Sequence, residues 1–145
     1  SKAFALANFR FGYLISSKDN VQFINRIRNP KNISTITQTA AVAALEDVEY
    51  MWNYVHEVTL GKEYFVSEME RFARIQICNS YGNFVLLKFE SYEEKIALLQ
   101  YLAAHNIFVR DTMQSPIVRN CFRVTCGTKQ QMEYVVNAFN DFYAH

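Results

Sequence analysis

The sequence predicts an α/β fold in which residues 32–145 form a small two-layer α/β sandwich. A near-continuous apolar run over residues 83–89 is typical of a strand that is covered on both faces. Residues 121–126 alternate apolar and polar side chains, which is typical of another strand. Two helical stretches begin with the spacing of a capping box, at Ser91 and at Thr128. The order strand, helix, strand, strand, helix is that of a sheet covered by a helical layer.

The first half of the chain predicts one strand and three helices. Alternation over residues 7–16 favours a strand. A helix is expected over residues 21–28, because a serine precedes it and a proline follows it. The alanine-rich residues 34–47 predict a second helix, and residues 47–72 predict a third. The third helix carries one apolar stripe at spacings of three, four and seven, made by Met51, Val55, Val58, Phe65, Met69 and Phe72.

The second half adds two shorter strands and the last helix. The strands are expected over residues 74–77 and 107–111. Asn106 is expected in a left-handed conformation, at the end of the helix that Ser91 begins. The last helix is amphipathic, and its predicted core side chains are Tyr134, Val135, Ala138, Phe139 and Phe142.

Residues 1–31 form a strand–helix segment that has no sheet of its own to join. A lone strand cannot satisfy its backbone groups or bury its apolar side chains. We therefore expect residues 1–31 to be the last part of a large domain, and residues 32–145 to be a complete small domain. The chain is then the tail of a larger protein.

Composition excludes several classes of function. The 145 residues are 50% hydrophobic and 20% charged, with a net charge of +1, which argues against disorder and against binding to nucleic acid or a membrane surface. No apolar stretch approaches the roughly 18 residues that a membrane helix needs. Cys78, Cys121 and Cys126 form no CxxC pair, so we expect a reducing cytoplasm. The histidines have no paired-ligand spacing, so no metal site is predicted.

Three arginines stand in predicted strands and point to an anionic ligand. Arg10 and Arg123 lie within strands, and Arg110 lies near the end of one. A guanidinium in a strand core is costly unless an anion pairs with it, and its planar fork suits a carboxylate or phosphate. The alternative is that each arginine points into water or pairs with a local acid such as Asp111.

Four segments resemble the fold type I pyridoxal-phosphate aminotransferases. Residues 1–13, SKAFALANFRFGY, resemble the family's signature around its reactive lysine. The similarity continues in order through NISTITQTAAVAALED, NFVLLKF and FVRD…NCFRVTCGT. The resemblance covers nearly the whole chain and is closest to the histidinol-phosphate aminotransferase branch. It implies that the sandwich is the C-terminal small domain of a pyridoxal-phosphate-dependent transferase, preceded by a fragment of the large domain.

The resemblance implies a role for five residues. Lys2 would bond covalently to the aldehyde of pyridoxal 5'-phosphate and move a proton during the reaction. Ser1 and Arg10 would hold the phosphate of this cofactor. Arg123 would clamp the substrate α-carboxylate through two parallel hydrogen bonds. Arg110 would help to bind the far phosphate end of the substrate.

The function that the resemblance implies is amino-group transfer between glutamate and a 2-oxo compound, with histidinol phosphate and 2-oxoglutarate as the expected pair in histidine biosynthesis. Three alternatives are an aromatic amino acid aminotransferase, a phosphothreonine-type decarboxylase and a non-catalytic anion-binding module. Members of the family are dimers with active sites at the subunit interface, so we expect a homodimer. The large domain supplies most of the cofactor pocket, so this chain alone is expected to be inactive.

Two residues depart from the family pattern in the loop after Lys2. Ala5 and Asn8 stand where the family has glycine. If these positions have positive φ, Ala5 carries a backbone cost, whereas Asn8 tolerates the conformation better.

Overall fold

The computed structural model describes residues 3–30, 32–112 and 116–144. The chain divides into two compact units, Ser1–Tyr54 and Val55–His145. The division falls within one long helix, whereas the sequence predicts a domain boundary after residue 31. That predicted boundary stays a prediction.

The first unit contains a 3-10 helix and a series of α-helices. The 3-10 helix is Ala7–Phe9, α1 is Lys18–Ile27, α2 is Thr35–Glu46, and the first turns of α3, Val48–Met69, complete the unit. Serines begin two of these helices: Ser17 accepts a hydrogen bond from the Asn20 N–H, and Ser34 accepts one from the Thr37 N–H. The three predicted helices are therefore confirmed.

The predicted strand over residues 7–16 is wrong. Residues 7–9 form a 3-10 helix, and residues 10–17 have no regular secondary structure. A strand needs a neighbouring strand to satisfy its backbone groups. Among the described residues the sheet holds four strands, and none of them pairs with this segment. The segment instead contacts α2, where the Thr37 hydroxyl donates to the carbonyl oxygen of Phe9.

Two residues of this first segment have left-handed backbone. Ala5 has φ 52°, and Arg10 has φ 50°. Asn8 lies in the 3-10 helix and does not have positive φ. The condition of positive φ holds at Ala5 and does not hold at Asn8.

The second unit is an antiparallel four-stranded sheet with helices packed on one face. The strands lie in the order β1-β2-β4-β3. The elements that follow α3 are β1 (Ile75–Cys78), β2 (Phe84–Phe89), α4 (Tyr92–Ala104), β3 (Arg110–Asp111), β4 (Cys121–Thr125) and α5 (Lys129–Ala144). The two-layer sandwich is confirmed, although β3 is shorter than its predicted range of 107–111.

Local side-chain bonds begin the helices of this unit as predicted. Ser91 accepts a hydrogen bond from the Glu94 N–H at the start of α4. At the start of α5 the Gln131 side chain accepts from the Thr128 N–H at 2.9 Å, and the Thr128 hydroxyl accepts from the Gln131 N–H at 3.4 Å. Asn106 has the predicted left-handed backbone, with φ 60°.

The core lies between the helices and one face of the sheet. Phe139 of α5 is fully buried, and its ring centroid lies 6.2 Å from that of Phe65 and 6.3 Å from that of Phe122. Along β2 burial alternates, so the prediction that both of its faces are covered is wrong for this chain. Tyr134, predicted to be a core side chain, is 58% exposed. The buried side chains of the sheet are Ile75, Val85, Leu87, Phe89, Cys121, Phe122 and Val124.

None of the helices that the structure describes is long and apolar enough to cross a membrane.

Candidate anion-binding site

Arg110 and Arg123, two of the predicted site residues, are direct neighbours across the sheet. They are opposite partners in the antiparallel pair of β3 and β4. The α-carbons of such partners lie about 4.5–5.5 Å apart, and their side chains project from the same face. Two guanidinium groups in this position repel each other, so an anion bound between them removes a cost as well as adding attraction.

The face that carries both arginines is the one opposite the helical layer, and we call it the open face. Side chains alternate along a strand, and Phe122 and Val124 on either side of Arg123 point into the core. Across β2, Arg123 is opposite Leu86, which is half-buried. The open face therefore presents two cations on an apolar background.

Arg123 is held by an aromatic ring and has unused hydrogen-bonding capacity. Its Cζ atom lies 5.1 Å from the ring centroid of Phe84, within the range of a cation–π contact. Its Nε–H is buried and has no hydrogen-bond partner. A buried donor without an acceptor costs about 1–3 kcal/mol, which an anion placed beside it would recover. Arg123 therefore has a buried donor that is available to an acceptor.

No acid neutralises these two arginines within the described part of the chain. The ion pairs there join Arg71 to Glu68, Arg74 to Glu94, and Lys95 to Asp111. Asp111, the acid that the sequence offered as a local partner, points toward the helical layer because it is the residue next to Arg110 in β3. The ion pair that Asp111 forms within the described residues is with Lys95 rather than with an arginine.

Arg10 belongs to the first unit and is exposed. It follows the 3-10 helix rather than lying in a strand, and its N–H donates to the carbonyl oxygen of Ala7 at 3.4 Å. Its side chain is free of ion pairs with any described residue. Ser1 and Lys2, which precede this segment, lie outside the described residues.

The first unit also contains an apolar cavity of about 610 Å³ beside the segment that carries Arg10. One wall is formed by α2, through Ala40, Ala41 and Ala44, and the opposite wall by aromatic side chains of the segment. Its lining is almost entirely apolar, so it offers no charged group for an anion. The aromatic side chains that line it are Phe4, Phe9, Phe11 and Tyr13.

Four described groups, Tyr64, Cys121, Cys126 and Tyr143, have raised pKa values, and burial is the largest cause for each of them. Burial raises the pKa of the Cys126 thiol to about 11. Burial, and then the hydrogen bond that its hydroxyl donates to Glu94 at 3.0 Å, raise the pKa of Tyr143. Both shifts favour the protonated form of the group at neutral pH. In the parts of the chain described, no group of three potential metal ligands occurs.

Sequence reasoning missed two residues that support the arginine pair. The sequence places Phe84 only in a strand, but its ring lies against Arg123. The helix pattern alone gives Lys95 no role, yet its side chain is fully buried and its ammonium lies 2.7 Å from Asp111. The signal for Lys95 was present, because it shares one helical stripe with Leu98 and Leu102, which are also buried.

Comparison with known proteins gives one family for nearly the whole chain. The family model described as aminotransferase class I and II matches residues 1–139. A dihydroxyacetone phosphate transaminase of Campylobacter jejuni is 40% identical over 98% of this chain, which corresponds to 38% of that protein. A histidinol-phosphate aminotransferase of Ruminiclostridium cellulolyticum is 32% identical over 90% of this chain and 36% of its own length. The chain thus spans less than two fifths of these relatives.

A solved structure shows the same arrangement of elements. The histidinol-phosphate aminotransferase of Sinorhizobium meliloti, solved in complex with pyridoxal-5'-phosphate, superposes with a TM-score of 0.80 and 26% identity. The superposition covers 95% of this chain and 38% of that one.

Proposed function

This chain belongs to the aminotransferase class I and II family, and on that premise we propose that it is the C-terminal part of a pyridoxal-phosphate-dependent aminotransferase. The observation that carries the proposal is the cross-strand pair of Arg110 and Arg123, with a buried donor of Arg123 that has no partner. An aminotransferase must hold the acidic end of each substrate while its amino group is exchanged. Paired guanidinium groups without an acid beside them are suited to that task.

The residues present fit the cofactor. Arg10 has an exposed guanidinium, which suits a phosphate group. Lys2 and Ser1, through the family resemblance, would hold the cofactor aldehyde and the cofactor phosphate. When bound, pyridoxal phosphate carries the amino group between substrates and withdraws electrons from the bond that breaks. Lys2 would move the proton at the substrate carbon that bears the amino group.

The two named relatives point to one class of acceptor. Dihydroxyacetone phosphate carries its phosphate ester on the carbon next to the carbonyl. Histidinol phosphate likewise carries its phosphate ester on the carbon next to the amine-bearing carbon. We therefore propose a substrate of the form R–CO–CH2–OPO3, exchanged with glutamate. Arg123 would grip the α-carboxylate of glutamate, and Arg110 would add the second cation that the doubly charged phosphate of the other substrate requires.

Histidinol phosphate with 2-oxoglutarate is the pair expected from the sequence, and dihydroxyacetone phosphate is a second candidate because the relative named for it is 40% identical. In their carbonyl forms the two differ only in the R group. In this proposal the open face, with Leu86 and the ring of Phe84 beside the arginines, would contact the end of the substrate that both compounds share. The R group would therefore be selected by residues of the large domain.

The experiment uses the full-length protein with pyridoxal phosphate. One reaction contains glutamate and dihydroxyacetone phosphate and measures 2-oxoglutarate. A second contains histidinol phosphate and 2-oxoglutarate and measures glutamate. We expect one phosphorylated substrate to turn over, with little turnover of its unphosphorylated counterpart. Preferred turnover of phenylalanine would favour the aromatic aminotransferase, CO2 release from threonine phosphate would favour the decarboxylase, and no turnover would favour the non-catalytic module.

The assembly and location are part of the proposal. We propose a cytoplasmic homodimer, on the pattern of the family, whose cysteines remain thiols. The three cysteines are free in the structure, and two of them are buried. Sedimentation of the full-length protein tests the dimer, and the separately expressed chain of 145 residues is expected to be inactive in the same assays.

A further inference from the structure

Strand β3, which carries Arg110, has little pairing of its own. It is two residues long and pairs only with β4. One of its two partner positions sets Arg110 opposite Arg123, where like charges destabilise the pairing. An edge strand this short needs an anchor outside the sheet to keep its register.

An ion pair between a buried lysine and a partly exposed aspartate supplies that anchor. Lys95 of α4 is 0% exposed, and its Nζ atom lies 2.7 Å from Oδ1 of Asp111. The same ammonium donates to the carbonyl oxygen of Arg119 at 2.9 Å, just before β4 begins. One buried cation thus joins α4, β3 and the start of β4. The ring of Tyr92 covers it, with the Nζ atom 4.8 Å from the ring centroid.

The anchor fixes which residue of β3 faces the open face. Successive side chains of a strand point to opposite faces, so a carboxylate held on the helix side sends the preceding side chain to the open face. A slip of one residue would turn Arg110 toward the helical layer and bring Asp111 to the open face. That slip would replace a cation beside Arg123 by an anion.

We propose that Lys95 and Asp111 are a positioning pair that holds Arg110 opposite Arg123, and so sets the affinity of the open face for the phosphate of the substrate. The proposal rests on the anion-binding role of Arg110 in the proposed function. Neither Lys95 nor Asp111 contacts the ligand in this scheme. Both act through Arg110.

The test measures inorganic phosphate as a competitive inhibitor of the glutamate half-reaction in the full-length holoenzyme. The double variant K95M/D111L removes the buried ammonium together with its carboxylate partner, so no unpaired charge is left inside. We expect its inhibition constant for phosphate to rise about tenfold, the loss of one charge-assisted hydrogen bond. The single variant Asp111→Glu, which keeps Lys95 and the negative charge, should retain most of the affinity for phosphate. Lys129→Met, on the exposed start of α5, is the matched control and should leave the constant unchanged.

Arg110→Ala separates this proposal from the proposed function. If the pair acts through Arg110, adding K95M/D111L to Arg110→Ala should raise the inhibition constant by less than about twofold more. A merely structural role would reduce the active fraction without changing the constant, and that result would overturn the proposal. If Arg110→Ala itself leaves the constant unchanged, the anion-binding role of Arg110 is wrong instead. Should K95M/D111L fail to fold, Asp111→Asn replaces it with the same expected result.

Discussion

Arg110 and Arg123 stand directly opposite each other on the antiparallel strands β3 and β4, on the sheet face away from the helices. None of the other ten opposite pairs in the described sheet brings two like charges together. Such a pair of like charges is unfavourable unless an anion is bound between them. The buried Nε–H of Arg123 has no hydrogen-bond partner, so it too would be stabilised by an acceptor. The pairing is therefore better explained by ligand binding than by stability of the sheet.

Replacement of Arg123 by lysine tests whether binding depends on the planar, two-donor shape of the guanidinium rather than on its charge alone. Arg123→Lys keeps one positive charge but loses the two parallel hydrogen bonds and the planar contact with Phe84. We expect KM for glutamate in the full-length enzyme to rise about tenfold or more. Arg74→Lys is the matched control, because Arg74 is an exposed arginine whose Nη1 atom lies 3.8 Å from Glu94. Equal effects of the two variants would mean that Arg123 acts only as a surface charge.

Replacement of Ala5 by glycine tests the left-handed backbone of the first unit. Ala5 has φ 52°, a conformation that costs an L-residue about 1–2 kcal/mol relative to glycine. Part of that gain is offset by the greater entropy of glycine in the unfolded chain. Ala5→Gly is expected to raise the free energy of unfolding by about 0.5–1 kcal/mol in denaturant titration. Asn8→Gly, where φ is not positive, should give no gain, and a gain there with none at Ala5 would contradict the geometry.

Replacement of Gly61 by alanine tests the close approach of α3 to the turn before α5. A β-carbon on Gly61 would clash with the Gly127 carbonyl oxygen and would lie 2.8 Å from the Thr128 carbonyl carbon. Alanine gains about 1 kcal/mol of helix propensity, but overpacking costs about 1–3 kcal/mol and the neighbour is backbone. We expect Gly61→Ala to lower the free energy of unfolding. Gly12→Ala, with no atom within 4 Å, should not lower it.

The sequence was sufficient for the features that local chemistry decides. The capping boxes at Ser91 and Thr128 predict helix starts that the structure contains, because each is made by residues three apart. The strand expected over residues 7–16 fails because a strand also depends on partners that are distant in sequence. For the same reason, the pairing of Arg110 with Arg123 could not be predicted, because it depends on the register between two strands.

Lys95 shows a different limit of sequence reasoning. A lysine in a helical stripe with Leu98 and Leu102 is buried only if an acid reaches it from elsewhere. That acid, Asp111, comes from the edge strand and is not identifiable from the helix pattern. The roles of Ser1 and Lys2 are predictions from family resemblance, and the structure does not describe these two residues.

Thiol labelling tests the burial of the cysteines. Cys126 is 2% exposed and burial raises its pKa to about 11, so at pH 8 only about one thiol in a thousand is ionised in the native state. Cys78 is half-buried, and we expect it to react first with iodoacetamide, as mass spectrometry of the peptides would show. Cys78→Ser should remove the fast phase.

The raised pKa of Cys126 also gives a pH dependence of stability. Its folded-state pKa, about 11, lies above the ordinary value of 9.0, so the native state binds the proton more tightly than the unfolded state does. The contribution is complete below about pH 9 and is lost as the pH rises toward 11. Cys126→Ala should flatten the decline of the unfolding free energy over that range. An unchanged slope would contradict the assignment.

The crystal structure of the full-length enzyme with pyridoxal phosphate and a bound phosphorylated substrate tests the anion site most directly. The measured quantity is the distance from each guanidinium nitrogen of Arg110 and Arg123 to the nearest oxygen of the substrate phosphate. We expect both arginines to lie within about 2.7–3.1 Å of that phosphate, with the Nε–H of Arg123 donating to one of its oxygens. A substrate phosphate held elsewhere, with Nε of Arg123 still unpartnered, would contradict the assignment.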